Sequence, residues 1–129
     1  MENEVRKKLV VELYQRIQFA KQVQSGFKRS SVEDDLFLKL GGFSTPTNLT
    51  RSKYFQIVQF YLFLKENPNL ADEEIREILN SNNKFSFIRK LDSKTPDLFN
   101  ELKLYGPMVI ATDYASRKQT NKELTKRLP

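Results

Sequence analysis

Residues 51–66 read RSKYFQIVQFYLFLKE, and this stretch decides the fold of the chain. Apolar and aromatic side chains fill it from Tyr54 to Leu64, with only Gln56 and Gln59 among them. A helix that is apolar on nearly all sides belongs inside a packed core. Phe, Tyr, Val and Ile also favour strands, but the stretch is long and lacks an alternation of period two. We therefore predict a central, buried helix over residues 51–66.

The segments on either side of this helix predict an all-α fold. In residues 2–24, apolar side chains recur every four residues and so share one face of a long amphipathic helix. Shorter helices are predicted between breaks rich in Gly, Pro and Asn, at residues 31–40, 71–80, 85–91, 96–105 and 108–128. The sequence thus predicts one compact domain over residues 1–129, a bundle of about five to seven helices around residues 51–66.

Local signals mark two helix boundaries and a loop. Thr95-Pro96 is typical of a helix start, because a capping hydroxyl precedes a proline at the first helical position. Gly106-Pro107 is expected to end that helix. Residues 41–50, with two glycines, a proline and several hydroxyls, are predicted to form a loop.

The composition excludes several classes of function. The 129 residues include no cysteine, histidine or tryptophan, which excludes disulfides, imidazole catalysis and nearly every zinc or haem site. Carboxylate pairs at residues 34–35 and 73–74 are explained by the preference of acidic side chains for helix starts. The longest apolar window is too short for a bilayer, which takes about 20 residues. We expect a cytoplasmic protein that is not an enzyme, needs no cofactor and does not enter a membrane.

Positive charge predicts a polyanionic partner. The 22 Lys and Arg residues outnumber the 16 Asp and Glu residues, which gives a net charge of +6. The excess lies in residues 1–30 and 113–129, whereas residues 71–80 carry four acidic side chains and one basic one. Basic domains attract nucleic acid because binding releases counterions. The alternative is that the Lys and Arg side chains only solvate helix faces. We expect a nucleic-acid partner, DNA rather than RNA.

Residues 70–91 show the pattern of a helix-turn-helix unit, with a polar turn between two short helices. In such a unit, polar residues at the start of the second helix meet base edges in the major groove. Asn83 and Lys84 hold that position here, and Arg89 or Lys90 would grip phosphate. The turn lacks the usual glycine and the first helix is acidic, which argues against groove reading.

Residues 44–53 place hydroxyl groups, Arg51 and Lys53 at the start of the apolar helix. A helix N-terminus offers free amides that suit phosphate. The alternative is that Thr47 or Thr50 only caps the helix while the two cations point to solvent.

The C-terminal residues 117–129 also have two interpretations. Basic side chains at positions 118, 122 and 126 share one face of a helix. They form either a stripe that tracks phosphates or a mobile, solvated tail.

These segments combine into one predicted interface on a small regulatory or architectural protein without enzymatic activity. The residues predicted to contact nucleic acid are Arg6, Lys7, Lys28, Arg29, Arg51, Lys53, Asn83, Lys84, Arg89, Lys90, Arg117, Lys118 and Lys122. The alternative is a helical protein–protein module, such as a small subunit or inhibitor of a larger nucleoprotein complex, that uses the acidic residues 71–80 and exposed aromatic side chains. A protein partner or a homo-oligomer would then replace the nucleic acid. The two functions differ in whether the basic segments converge on one face.

Overall fold

The computed structural model describes residues 2–24 and 49–127, and the side chains of residues 2–22 and 49–117. These residues form six α-helices and no strand, so the predicted all-α fold is confirmed for them. The helices are α1 (Asn3–Gln24), α2 (Arg51–Glu66), α3 (Asp72–Asn80), α4 (Ser86–Lys94), α5 (Leu98–Tyr105) and α6 (Pro107–Arg127). A 3-10 helix, Asn83–Phe85, leads directly into α4. The helix predicted at residues 31–40 and most of the loop predicted at residues 41–50 lie outside the described residues.

Helix α2 is the centre of the bundle, as its apolar sequence predicts. It packs against α1, α4, α5 and α6. Its side chains Ile57, Phe60, Phe63 and Leu64 are fully buried, and burial of each such side chain stabilises the fold by roughly 1.5–3 kcal/mol. Phe60 meets Phe99 of α5 edge to face, with ring centroids 5.8 Å apart.

Helix α1 lies along α2 and buries one stripe of its surface. Leu9, Leu13, Ile17 and Ala20 form this stripe, at the three- and four-residue steps that place side chains on one helical face. On the rim of the contact, Arg16 donates to the Gln59 side chain at 3.3 Å. Packing and this hydrogen bond thus join α1 to α2.

The turn between α4 and α5 corrects the predicted helix start at Thr95-Pro96. Helix α5 begins at Leu98, two residues later than expected. Thr95 instead ends α4, where its backbone N–H contacts the carbonyl oxygen of Asp92 at 3.4 Å. The proline keeps Thr95 extended, and Asp97 takes a left-handed conformation with φ of 54° to redirect the chain. Thr95-Pro96 therefore marks the end of α4 and not the start of α5.

Gly106 separates α5 from α6. Its φ of +86° lies in the region that favours glycine, and Pro107 then occupies the first position of α6. The backbone of α6 remains helical as far as Arg127. In the described parts of the chain, no helix is both long enough and apolar enough to cross a membrane.

Candidate nucleic-acid interface

The 3-10 helix and α4 present one continuous polar face to solvent. Ser86, Lys90 and Lys94 are exposed and follow one another at four-residue steps. Ile88 and Leu91, on the opposite side of α4, are fully buried. Burial of one side therefore fixes which side chains of α4 can meet a ligand.

The turn that leads into this face is held by side chain-to-backbone hydrogen bonds. The Asn82 side chain accepts from the backbone N–H of Lys84 at 2.8 Å and so caps the 3-10 helix. Arg89 Nη1 donates to the carbonyl oxygens of Leu79 and Asn82, at 2.6 and 2.8 Å. A cation at the end of α3 also interacts favourably with the helix dipole. Arg89, predicted to grip phosphate, thus holds the turn between α3 and α4.

Asp92 is the single carboxylate between residues 83 and 94, and Arg76 of α3 binds it. Arg76 Nε and Nη2 donate to its two oxygens at 3.1 and 3.3 Å. The hydrogen bond with Asp92 and the attraction of its charge raise the pKa of Arg76 above its ordinary value. Because this carboxylate is occupied, it does not neutralise the lysines of α4.

The start of this face meets the last turn of α1. The 3-10 helix packs against α1, and Lys84 lies close enough to Lys21 for the two ammonium groups to repel. Burial, and then this repulsion, lower the pKa of Lys21 below its ordinary value. Among the described residues, no carboxylate forms an ion pair with either lysine.

Helix α2 adds cations beside the same face. The Thr50 hydroxyl accepts from the backbone N–H of Lys53 at 3.2 Å and so caps α2. A cap at Thr47 or Thr50 was one of the two interpretations of residues 44–53. Arg51 is exposed. The Lys53 ammonium lies 5.5 Å from the centre of the Phe87 ring in α4, within the range of a cation–π interaction.

Helix α6 contacts α4 near both of its ends. Phe87 and Tyr114 meet edge to face, with ring centroids 5.9 Å apart. One turn further along, Arg117 donates to the carbonyl oxygen of Lys94 at 2.6 Å and pairs with Asp113. The end of α4 and the start of the basic C-terminal segment are therefore neighbours.

These contacts link cations from four helices and the 3-10 helix. We call this set the basic surface, and it consists of Lys21, Lys53, Lys84, Lys90, Lys94 and Arg117. Its members come from residues almost 100 positions apart in the sequence. The fold thus brings together parts of the chain that the sequence alone left separate.

Other predicted residues lie elsewhere. Arg6 bonds to the Asn3 side chain at 2.9 Å and pairs with Glu77 of α3 at 3.7 Å. Lys7 is exposed on the N-terminal part of α1. Lys28 and Arg29 lie outside the described residues, as do the side chains of Lys118 and Lys122, whose backbones belong to α6.

Two members of the basic surface, Lys21 and Lys94, are not among the residues predicted from the sequence. Lys94 stands four residues after Lys90, so helical spacing could have identified it. The predicted helix ends at residue 91, three residues short of the observed end of α4, and so excludes Lys94. The proximity of Lys21 to Lys84 depends on the packing of α1 against the 3-10 helix, for which the sequence gives no local signal.

An apolar patch lies around Gly106, where α5 passes into α6. Leu104, Tyr105 and Val109 are 66%, 62% and 52% exposed there. Large apolar side chains that stand together in solvent are typical of interaction sites.

Comparison of the chain with protein-family models, curated proteins and solved structures gives no match.

Proposed function

We propose that this protein binds nucleic acid through the basic surface, as a regulatory or architectural protein without enzymatic activity. One observation carries the proposal. The exposed side of residues 83–94 bears Lys84, Lys90 and Lys94, while Arg76 binds the only carboxylate of that segment. Three cations on a segment whose single carboxylate is already paired produce a local positive potential that suits a phosphate backbone.

The order α3, turn and α4 further supports a helix-turn-helix mode of binding. In this mode α4 enters the major groove, and the exposed Asn83 and Ser86 lie at the N-terminal end that meets base edges. An Asn side chain can bond to adenine through both of its polar atoms. Lys53, next to Phe87 near the start of α4, and Arg117, next to Lys94 at its end, would contact phosphates beside the groove. This arrangement favours DNA over RNA, because the major groove of RNA helices is too narrow for side chains to read.

Fluorescence anisotropy with short, labelled DNA and RNA duplexes tests the proposal. With about four phosphates neutralised, raising the salt from ~50 to ~200 mM should weaken binding roughly 100-fold. Neutralisation of the α4 face by Lys90→Gln and Lys94→Gln should lower the salt slope by about 2, since each lysine holds one phosphate.

The matched control removes two positive charges from other exposed positions, Lys8→Gln and Lys103→Gln. It should leave the salt slope close to that of the unaltered protein. Failure to bind either duplex at ~50 mM salt would refute nucleic-acid binding. An equal effect of the two double variants would show that net charge, and not the basic surface, governs binding.

The exposed apolar patch favours protein–protein interaction as a second candidate function. Leu104, Tyr105 and Val109 would be the centre of such an interface. Light scattering after size-exclusion chromatography tests it for self-association. Oligomers that dissociate in the variant Leu104→Ser/Tyr105→Ser would support the second function, and a monomer at all concentrations would exclude self-association through the patch.

A further inference from the structure

Phe87 is an aromatic side chain at the border of the polar face of α4. The fully buried side chains of residues 83–94 are Phe85, Ile88 and Leu91. Phe87 lies about 100° around the helix from Ile88, and it is half-buried at the edge of the core. An aromatic ring therefore stands where the buried side of α4 meets its exposed side.

The neighbours of this ring along the chain are polar and exposed. Lys90 follows Phe87 by three residues, and Asn83 precedes it by four, in the 3-10 helix that leads directly into α4. Such spacings place side chains beside each other on a helix. Asn83 and Lys90 are both exposed, so Phe87 is the apolar member of a row that is otherwise polar.

Side chains from two other helices hold the Phe87 ring in place. The Lys53 ammonium of α2 lies 5.5 Å from the centre of the ring. The Tyr114 ring of α6 meets it edge to face, with centroids 5.9 Å apart and an angle of 81° between the planes. A side chain that is already held in the free protein loses little conformational entropy when it contacts a ligand.

We propose that Phe87 recognises thymine in duplex DNA, by packing its ring against the C5-methyl group in the major groove. This inference rests on the proposed function and names the base that the α4 face selects. The C5-methyl is the apolar group that thymine presents in the major groove, and Phe is one of the side chains that suit it. Asn83, one turn away, suits adenine, so the two side chains together favour A·T base pairs.

The position of Lys53 fits the same contact. The methyl group lies on the side of the thymine edge that is nearest to the backbone of its own strand. An ammonium group beside the Phe87 ring can therefore contact a phosphate of that strand while the ring packs against the methyl group. A G·C pair has no methyl group in this place, and it would keep the phosphate contact but lose the apolar one.

Removal of the methyl group alone tests the inference. Fluorescence anisotropy compares two labelled DNA duplexes, one of alternating deoxyadenosine and thymidine and one in which deoxyuridine replaces every thymidine. The two duplexes present the same hydrogen-bonding groups, so the loss of one buried methyl group should weaken binding of the unaltered protein about fourfold. Phe87→Ala should bind both duplexes equally. The control Val11→Ala, at an exposed apolar position of α1, should retain the fourfold difference.

The outcomes separate the inference from the proposed function. Failure to bind either duplex refutes both. Equal affinity of the unaltered protein for the two duplexes overturns the inference alone, as does a preference for thymidine that persists in Phe87→Ala, because the methyl group then acts through the shape of the duplex. Should Phe87→Ala fail to fold, nuclear Overhauser effects between the thymine methyl protons and the Phe87 ring protons give the answer in the unaltered protein. Their presence supports the contact, and their absence from the complex overturns it.

Discussion

Arg89 directs its guanidinium at two backbone carbonyl groups instead of at solvent. The sequence placed it beside Lys90 as an equivalent phosphate-binding residue, but helical geometry separates the two side chains by about 100°. Lys90 consequently points outward, whereas Arg89 is half-buried against the end of α3. Adjacent cations on one helix can thus have different roles, and only the packing of the helix reveals which is which.

We predict that Arg89→Gln destabilises the protein by about 1.5–3 kcal/mol, because hydrogen bonds from a charged donor to two carbonyl groups are lost. Lys90→Gln should change the free energy of unfolding by no more than about 0.5 kcal/mol, as is usual for an exposed position. Urea unfolding measures both. Equal stability of the two variants would contradict the structural role of Arg89.

At the scale of single elements, the apolar helix α2 was predictable because nearly all of its positions are apolar, and all of these positions indicate a buried helix. Its first residue, Arg51, and its last, Glu66, match the predicted ends. The start of α5 was not predictable from Thr95-Pro96, since a threonine before a proline fits the end of α4 equally well. Where a tight turn joins two short helices, the same residues can indicate the end of the first helix or the start of the second.

The cap of α2 gives a prediction at this scale. Thr50→Ala should destabilise the protein by about 1 kcal/mol, because the backbone N–H of Lys53 loses its acceptor. Thr50→Ser retains the hydroxyl and should recover most of the loss. Thermal unfolding of both variants provides the measurement, and identical midpoints for alanine and serine would show that the cap contributes nothing.

The junction between α5 and α6 gives a second prediction at the scale of single elements. Gly106→Ala should destabilise the protein by about 1–3 kcal/mol, the cost of a side chain in a backbone region that favours glycine. No atom lies within 4 Å of the added Cβ, so the cost is conformational and not steric. Thr112→Ala, at an exposed position of α6, is the control. Urea unfolding that shows equal stability for the two variants would contradict the conformational role of Gly106.

At the scale of the whole molecule, the described residues include one acidic region and one basic region. Exposed Asp72 and Glu73 mark the start of α3, whereas the basic surface collects cations around α4. The net charge of +6 predicted a polyanionic partner but did not show where the charge lies. Lys21, Lys53 and Arg117 reach this region through tertiary packing, which periodicity and composition do not encode.

The central claim is that this basic surface, and not the rest of the molecule, contacts nucleic acid. Amide chemical shifts measured by nuclear magnetic resonance during titration with a DNA duplex test it residue by residue. We predict that the shifts change at residues 83–94 and around Lys21, Lys53 and Arg117, while residues 72–77 and the patch at Leu104, Tyr105 and Val109 remain unaffected. Changes centred on that patch or on the acidic start of α3, with residues 83–94 unaffected, would contradict the account.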